Sequence, residues 1–264
     1  MPPLDGEWTL WSLVNGLPGL LAVLAFLLYP PFDRKFAWDV LDRRSGIFFG
    51  VAFLMRGLLF AHVINAGSWG EIRWLLAGNL VFVGELLVVT LVWGDLFRWR
   101  RLTAIAWLLL YVEEPIWMLT LVPQAQAAFG NAVLAGGPVL PLTKAVLWLE
   151  AGLMLAVSAY LWFLPKMDEA RWWPWKPDLV SARIMVGFTL GWVLWSLTLA
   201  AAPSWEEARG GVLIDAAWLG SICLSTLVFH RRFDWRHRAT RAYVLLAGSL
   251  TVLLAIVYLQ QGQA

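Results

Sequence analysis

Four charges sit where a charge is most costly. Arg56, Glu85, Glu113 and Glu114 fall near the middle of long apolar stretches, at similar depth on three consecutive ones. An arginine or acidic residue at the centre of a membrane span costs about 2.5–3.5 kcal/mol on insertion scales, so such residues face the bundle interior and have partners. Phe49, Phe53, Leu59, Phe60 and Val63 flank Arg56 and keep it from snorkelling. Its expected partner is Glu85 or one of the pair Glu113/Glu114. Adjacent helical residues point about 100° apart, so the two glutamates need not share that partner. Pro115 lacks an N–H and opens the helix about one turn earlier, near Tyr111. This leaves a polar pocket of a free carbonyl and two carboxyls. One carboxylate is held ionised by Arg56. The other, desolvated beside a like charge, is expected to serve as a proton donor. Trp117 and Tyr111 would wall that site.

Glu150 lies nearer the outer face and aligns roughly with Asn15; it either lines the same cavity or reaches interfacial water. Asn79 and Asp215 occupy equivalent outer-third positions, as ligand contacts or as hydrogen bonds between helices. Lys144 and Arg183, near span ends, are expected to snorkel. His62 reads as a structural histidine. A carboxylate-only metal site from Glu85, Glu113, Glu114 and Glu150 would suit a hard cation or iron, but no histidine stands near it, and no metal or cofactor is expected. The other two histidines, His230 and His237, share one basic loop, which disfavours a pair of axial haem ligands. No phosphate-binding loop, zinc-protease helix, nucleophile elbow or dinucleotide fingerprint occurs, and a retinal Schiff base is disfavoured, because no lysine lies mid-span in the last two stretches.

The elements that must position these residues follow from composition. The 264 residues are 60% hydrophobic and 14% charged, with a mean hydropathy of +0.68. Soluble domains run at about 45–50% and 25%. One cysteine, Cys223, excludes an internal disulfide. The chain is therefore expected to be an all-α integral membrane protein. Its eight spans are 8–30, 46–65, 73–94, 102–122, 142–164, 179–201, 210–229 and 239–260, each near the 20 residues a bilayer requires. Basic residues follow spans one (Arg34, Lys35, Arg43, Arg44), three (Arg98, Arg100, Arg101), five (Lys166, Arg171, Lys176) and seven (Arg231, Arg232, Arg236, Arg238, Arg241). That alternation places those loops in the cytoplasm and both termini outside, in a plasma membrane of bacterial inner-membrane type. The start, Met1 to Glu7, lacks the basic region of a cleaved signal peptide. The net charge of +2 anchors loops and gives no reason to expect a nucleic-acid partner.

The chain also matches itself. At a shift of 136, Glu71, Arg73, Gly84, Thr90, Leu91, Val92, Phe97, Trp99 and Arg100 face identical residues from Glu207 to Arg236, and Asn79 faces Asp215. Asp33 and Trp38 face Asp168 and Trp173 at a shift of 135. The GxxxG pair Gly46/Gly50 matches Gly187/Gly191 at 141 and would let spans two and six pack closely. The reading is a tandem 4+4 parallel repeat, 1–135 and 136–264, with a pseudo-two-fold axis along the membrane normal and a cavity between halves. The alternative is that tryptophan and arginine recur at every membrane interface. In this alignment Glu85 faces Ser221, Glu113 and Glu114 face Ser249 and Leu250, and Arg56 faces an apolar position near Val193, so the mid-membrane charges are confined to the first half.

Of the 19 tryptophans most stand at span ends as aromatic belts. Trp107, Trp117, Trp148, Trp192, Trp195 and Trp218 lie within spans, where they either line a cavity with Tyr111 and Tyr160 or simply pack. The glutamate pair resembles the Pro-x-Glu-Glu motif of membrane lycopene cyclases over about four residues. Here the proline follows the pair, and the repeat unit has four helices where that family has three, so the chain is not assigned to it.

Three functions remain open. The first is an acid/base membrane enzyme on a lipophilic, lipid- or isoprenoid-type substrate, with Glu113 or Glu114 as general acid or base. The second is a proton- or ion-coupled transporter, and the third a non-catalytic subunit of a membrane complex. The expected partners are the bilayer, a lipophilic small molecule, and either further copies of the chain or a membrane-complex partner.

Overall fold

The computed structural model describes residues 6–130, 132–164 and 171–262; Met1 to Asp5, Lys166 and Asp168, used above for the leader, the basic loop and the repeat, lie outside them. Eight long helices account for nearly all of it: α1 (Gly6–Leu28), α2 (Arg43–Asn65), α3 (Trp69–Val92), α4 (Leu102–Phe129), α5 (Pro141–Phe163), α6 (Leu179–Ala201), α7 (Trp205–Val228) and α8 (Arg238–Gln261). All eight are long and apolar enough to cross a membrane, and no strand occurs among the described residues. The molecule is thus an all-helical polytopic membrane protein. The α6 span matches its sequence expectation at both ends. α4 runs seven residues further than expected, straight through Pro115 and Pro123. A proline costs a helix one hydrogen bond, and packing of the neighbouring turns carries the helix past it.

Local sequence sets the helix starts. Asp42 and Asp178 cap α2 and α6, their carboxylates accepting from the backbone N–H groups of Arg44 and Ser181. Pro141 opens α5, where its missing N–H is harmless. α4 stops at Gly130, whose φ of +62° belongs to the left-handed region that favours glycine.

α2 and α6 form the centre. Of their most apolar stretches 72% is buried, against 33% for α1 and 22% for α8. The outward face of α1 is a leucine surface (Leu10, Leu13, Leu17, Leu20, Leu24, Leu28), as lipid requires. Glycines set the closest approaches. Gly50 meets Leu27 and Phe26 of α1. Gly187 and Gly191 bring α6 onto α3, where Gly191 faces the backbone oxygen of Gly78.

The boundaries of α2 and α3, advanced by 136 residues, are those of α6 and α7. The loops behave alike: the indole N–H of Trp99 donates to Gly94 O, and that of Trp235 to His230 O. Two contacts cross between the halves in reciprocal fashion, with Trp175 in the place for which the self-alignment offered Trp173 as the counterpart of Trp38. Trp38 donates to Ser181 at 3.1 Å, and Trp175 donates to Ser45 at 2.8 Å.

The loop between α1 and α2 is tied to the start of α4. Asp39 accepts from Arg98 and Arg101. Arg101 also donates to Phe36 O, and the Thr103 hydroxyl to Lys35 O. This strapping tucks Phe36 under the helices, where it is buried among Phe26, Phe32, Trp38, Phe53 and Trp107.

Candidate functional site

α2, α3 and α4 meet at the centre of the first half. Arg56 on α2 donates through Nη2 to Glu114 on α4 at 2.6 Å, and Asn79 on α3 donates to the second Glu114 oxygen at 2.8 Å. Glu114 is fully buried and Arg56 is 4% exposed. Of the partners open to Arg56, the structure takes Glu114. The guanidinium lies over the rings of Phe60, Phe82 and Tyr111 at 5.1, 4.8 and 5.6 Å, whose negative faces add to its stabilisation. Trp107 packs on Tyr111 at 4.3 Å and donates its indole N–H to Thr90.

A cavity of about 270 Å³ opens beside this pair. Arg56, Glu114, Tyr111 and Asn15 line its inner end; Trp107, Phe53, Phe32 and Phe36 form an aromatic wall towards Thr103. From Thr103 to Glu114 along α4 is about 16 Å at 1.5 Å per residue. Two lining residues, Leu21 on α1 and Ala106 on α4, are exposed on the outer surface of the bundle, so the cavity opens sideways between those helices. Small residues make room: Gly19, Ala22 and Ala25 form the α1 wall.

Polar atoms around the inner end remain unpaired. Arg56 Nη1 has no acceptor and Asn15 Oδ1 no donor, although the Asn15 amide group donates to Trp11 O in its own helix. Glu113, one residue and about 100° from Glu114, is not among the cavity-lining residues; its carboxyl faces the side chain of Asn15. Bare buried polar atoms each cost about 1–3 kcal/mol, and their concentration beside a cavity calls for an explanation.

The other expected site residues lie elsewhere. Glu85 faces α6, pressed against Gly187, with Arg183 as the nearby cation. Arg183 does not snorkel: it is 9% exposed, donates to Leu161 O and lies over the rings of Trp93 and Trp162. Trp117 is half-buried on α4 and is not among the cavity-lining residues; Trp148 is 62% exposed to the lipid side. Glu150 and Asp215 form a second polar cluster in the other half. Glu150 accepts from Trp192 at 2.9 Å and from Ser196 at 3.2 Å, and Asp215, its carboxyl neighbour, has no donor on either oxygen. Both are fully buried, so deep acidic groups occur in both halves. His62 approaches Glu71 O at 3.3 Å, in keeping with a structural role.

Sequence reasoning passed over Asn15 as a lining residue, although a polar side chain mid-span was a usable signal. Phe32 and Phe36 stand in a loop, and nothing in their spacing says that the loop folds under the bundle. Comparison with known protein families, curated proteins and solved structures finds no match to this chain.

Proposed function

We propose that the chain is a membrane enzyme acting by acid/base chemistry on a lipophilic substrate, of lipid or isoprenoid type, taken from the bilayer. One observation carries the reading. An aromatic cavity open sideways between α1 and α4 ends on a carboxylate–guanidinium pair, and a second carboxyl, that of Glu113, lies outside its lining against the side chain of Asn15. In this reading Glu113 exchanges the proton. Glu114, paired with Arg56 and Asn79, provides the fixed group against which a developing cation is stabilised. Tyr111 and Trp107 wall the site. Sideways access suits this substrate better than the two aqueous paths a transporter needs. The strong pairing of Arg56 with Glu114 is what favours the other reading kept open, a complex subunit whose charges only join helices.

Glu85, Glu150 and Asp215 take no part in this proposed step. We place the basic loops in the cytoplasm and both termini outside, in a plasma membrane. The eight helices are read as two duplicated four-helix units about an axis normal to the membrane. Support comes from the shared 136-residue offset of helix boundaries and from the reciprocal Trp38–Ser181 and Trp175–Ser45 contacts, the pattern a two-fold axis generates. The test is conversion of a lipid extract by purified protein, followed by mass spectrometry. Glu113→Gln should lose activity by about 10²–10⁴-fold, the usual worth of a positioned acid or base. Full activity in both Glu113→Gln and Glu114→Gln rejects the enzyme.

A further inference from the structure

The inner end of the cavity carries one unpaired donor and one unpaired acceptor. The donor is Nη1 of Arg56, whose other terminal nitrogen is committed to Glu114. The acceptor is Oδ1 of Asn15, whose orientation is set by the bond from its amide nitrogen to Trp11 O; turning the amide over would set oxygen against oxygen. Both residues are 4% exposed and both line the cavity. A bound group must therefore accept from a guanidinium and donate to an amide oxygen while sitting beside two carboxyls.

Chemistry narrows the choice. A hydroxyl accepts and donates at once, and matches both atoms. A ketone, ether or ester only accepts, which leaves Asn15 bare. A carboxylate accepts from Arg56 but brings a third negative group to Glu113 and Glu114 and offers nothing to Asn15. An ammonium would face Arg56 as a like charge. Behind this polar end the wall is apolar and aromatic over about 16 Å of helix.

We infer that the ligand of this cavity is a long-chain alcohol, bound with its hydroxyl between Arg56 and Asn15 and its chain running out between α1 and α4. The inference rests on the cavity being the substrate site. The hydroxyl enters first, and the chain keeps contact with lipid through the side opening.

The test uses the full-length protein in lipid nanodiscs and four hexadecyl probes, each with a mid-chain diazirine: the alcohol, its methyl ether, the carboxylic acid and the hydrocarbon. Photolabelling is mapped to α1 and α4 peptides. The alcohol should outcompete the ether by about tenfold, the worth of one hydrogen bond to a buried partner. Asn15→Leu should abolish that preference while leaving hydrocarbon labelling in place; it removes a hydrogen bond within α1 and the contact with Glu113 on α4, and an unchanged thermal unfolding midpoint verifies that the bundle remains intact. Ala22→Trp, which fills the cavity, should abolish labelling by all four probes. Equal labelling by the four, still removed by Ala22→Trp, overturns the alcohol and leaves the lipophilic site standing. Labelling that is absent, or indifferent to Ala22→Trp, overturns both.

Discussion

Arg56 and Glu114 exchange a hydrogen bond in a place from which water is excluded, so neither can be removed alone without stranding the other. Arg56→Met or Glu114→Gln by itself should lower unfolding stability in detergent by about 3–5 kcal/mol, the usual cost of half a buried pair. The double variant Arg56→Met/Glu114→Leu should recover most of that loss, because an apolar pair of similar volume carries no desolvation cost. Additive losses would show that the two side chains do not depend on each other. The same double variant also separates the functional readings: restored stability without lipid conversion marks a site, and restored stability with conversion marks helix glue. Arg56 and the two glutamates announced themselves in the sequence by residue type and depth. Which glutamate takes the guanidinium did not, since a helical wheel cannot say how far α3 and α4 are rotated about their axes.

Helix packing depends on where the backbone may come close. A methyl group added at Gly78 would lie 2.6 Å from the backbone oxygen of Gly191 and 2.9 Å from Trp195 Cβ. Backbone cannot give way as a flexible side chain can, so Gly78→Ala should destabilise by about 1–3 kcal/mol. Gly84, on the same helix, has nothing within 4 Å of that position. Gly84→Ala should be neutral or stabilising by up to about 1 kcal/mol through helix propensity. Thermal unfolding of the two variants side by side checks this; equal responses would contradict the α3–α6 seam. GxxxG spacing marked Gly187 and Gly191 in the sequence, but not Gly78, which has no glycine four residues away, nor the partner each would meet.

The loop under α1 adds a pH response. Burial pushes the Asp33 carboxyl up to about 6, a rise that the ion pair with Arg43 offsets only in part. A carboxyl raised above its unfolded value of 3.8 stabilises the fold fully below that value and loses the contribution as pH climbs through its folded value. Stability should therefore fall between pH 4 and 6 from this group and then level off. Asp33→Asn should flatten that part of the profile in unfolding midpoints measured from pH 4 to 7. An unchanged slope would mean that Asp33 is not the group responsible.

At the scale of the molecule, the proposed orientation puts the basic loops on the cytoplasmic side and both termini outside. With Cys223 replaced by serine, a cysteine at Gly262 should react with a membrane-impermeant maleimide added to intact cells. A cysteine at Lys35 should react only after permeabilisation. The reverse pattern would turn the molecule over and move the inner end of the cavity nearer the other face.

Eight spans, their order and the depth of each charge were determined by the sequence itself, because the bilayer demands about 20 apolar residues per crossing and penalises any charge within them. These are one-dimensional constraints. The rotation of each helix, the choice of Glu114 over Glu85 and the folding of Phe32 and Phe36 beneath α1 and α4 were decided only in three dimensions. So was the separation of Glu150 and Asp215 into a cluster of their own. Each depends on side chains from segments tens of residues apart competing for the same interior space, and lipid, as apolar as the helices it surrounds, leaves that choice to packing and hydrogen bonds.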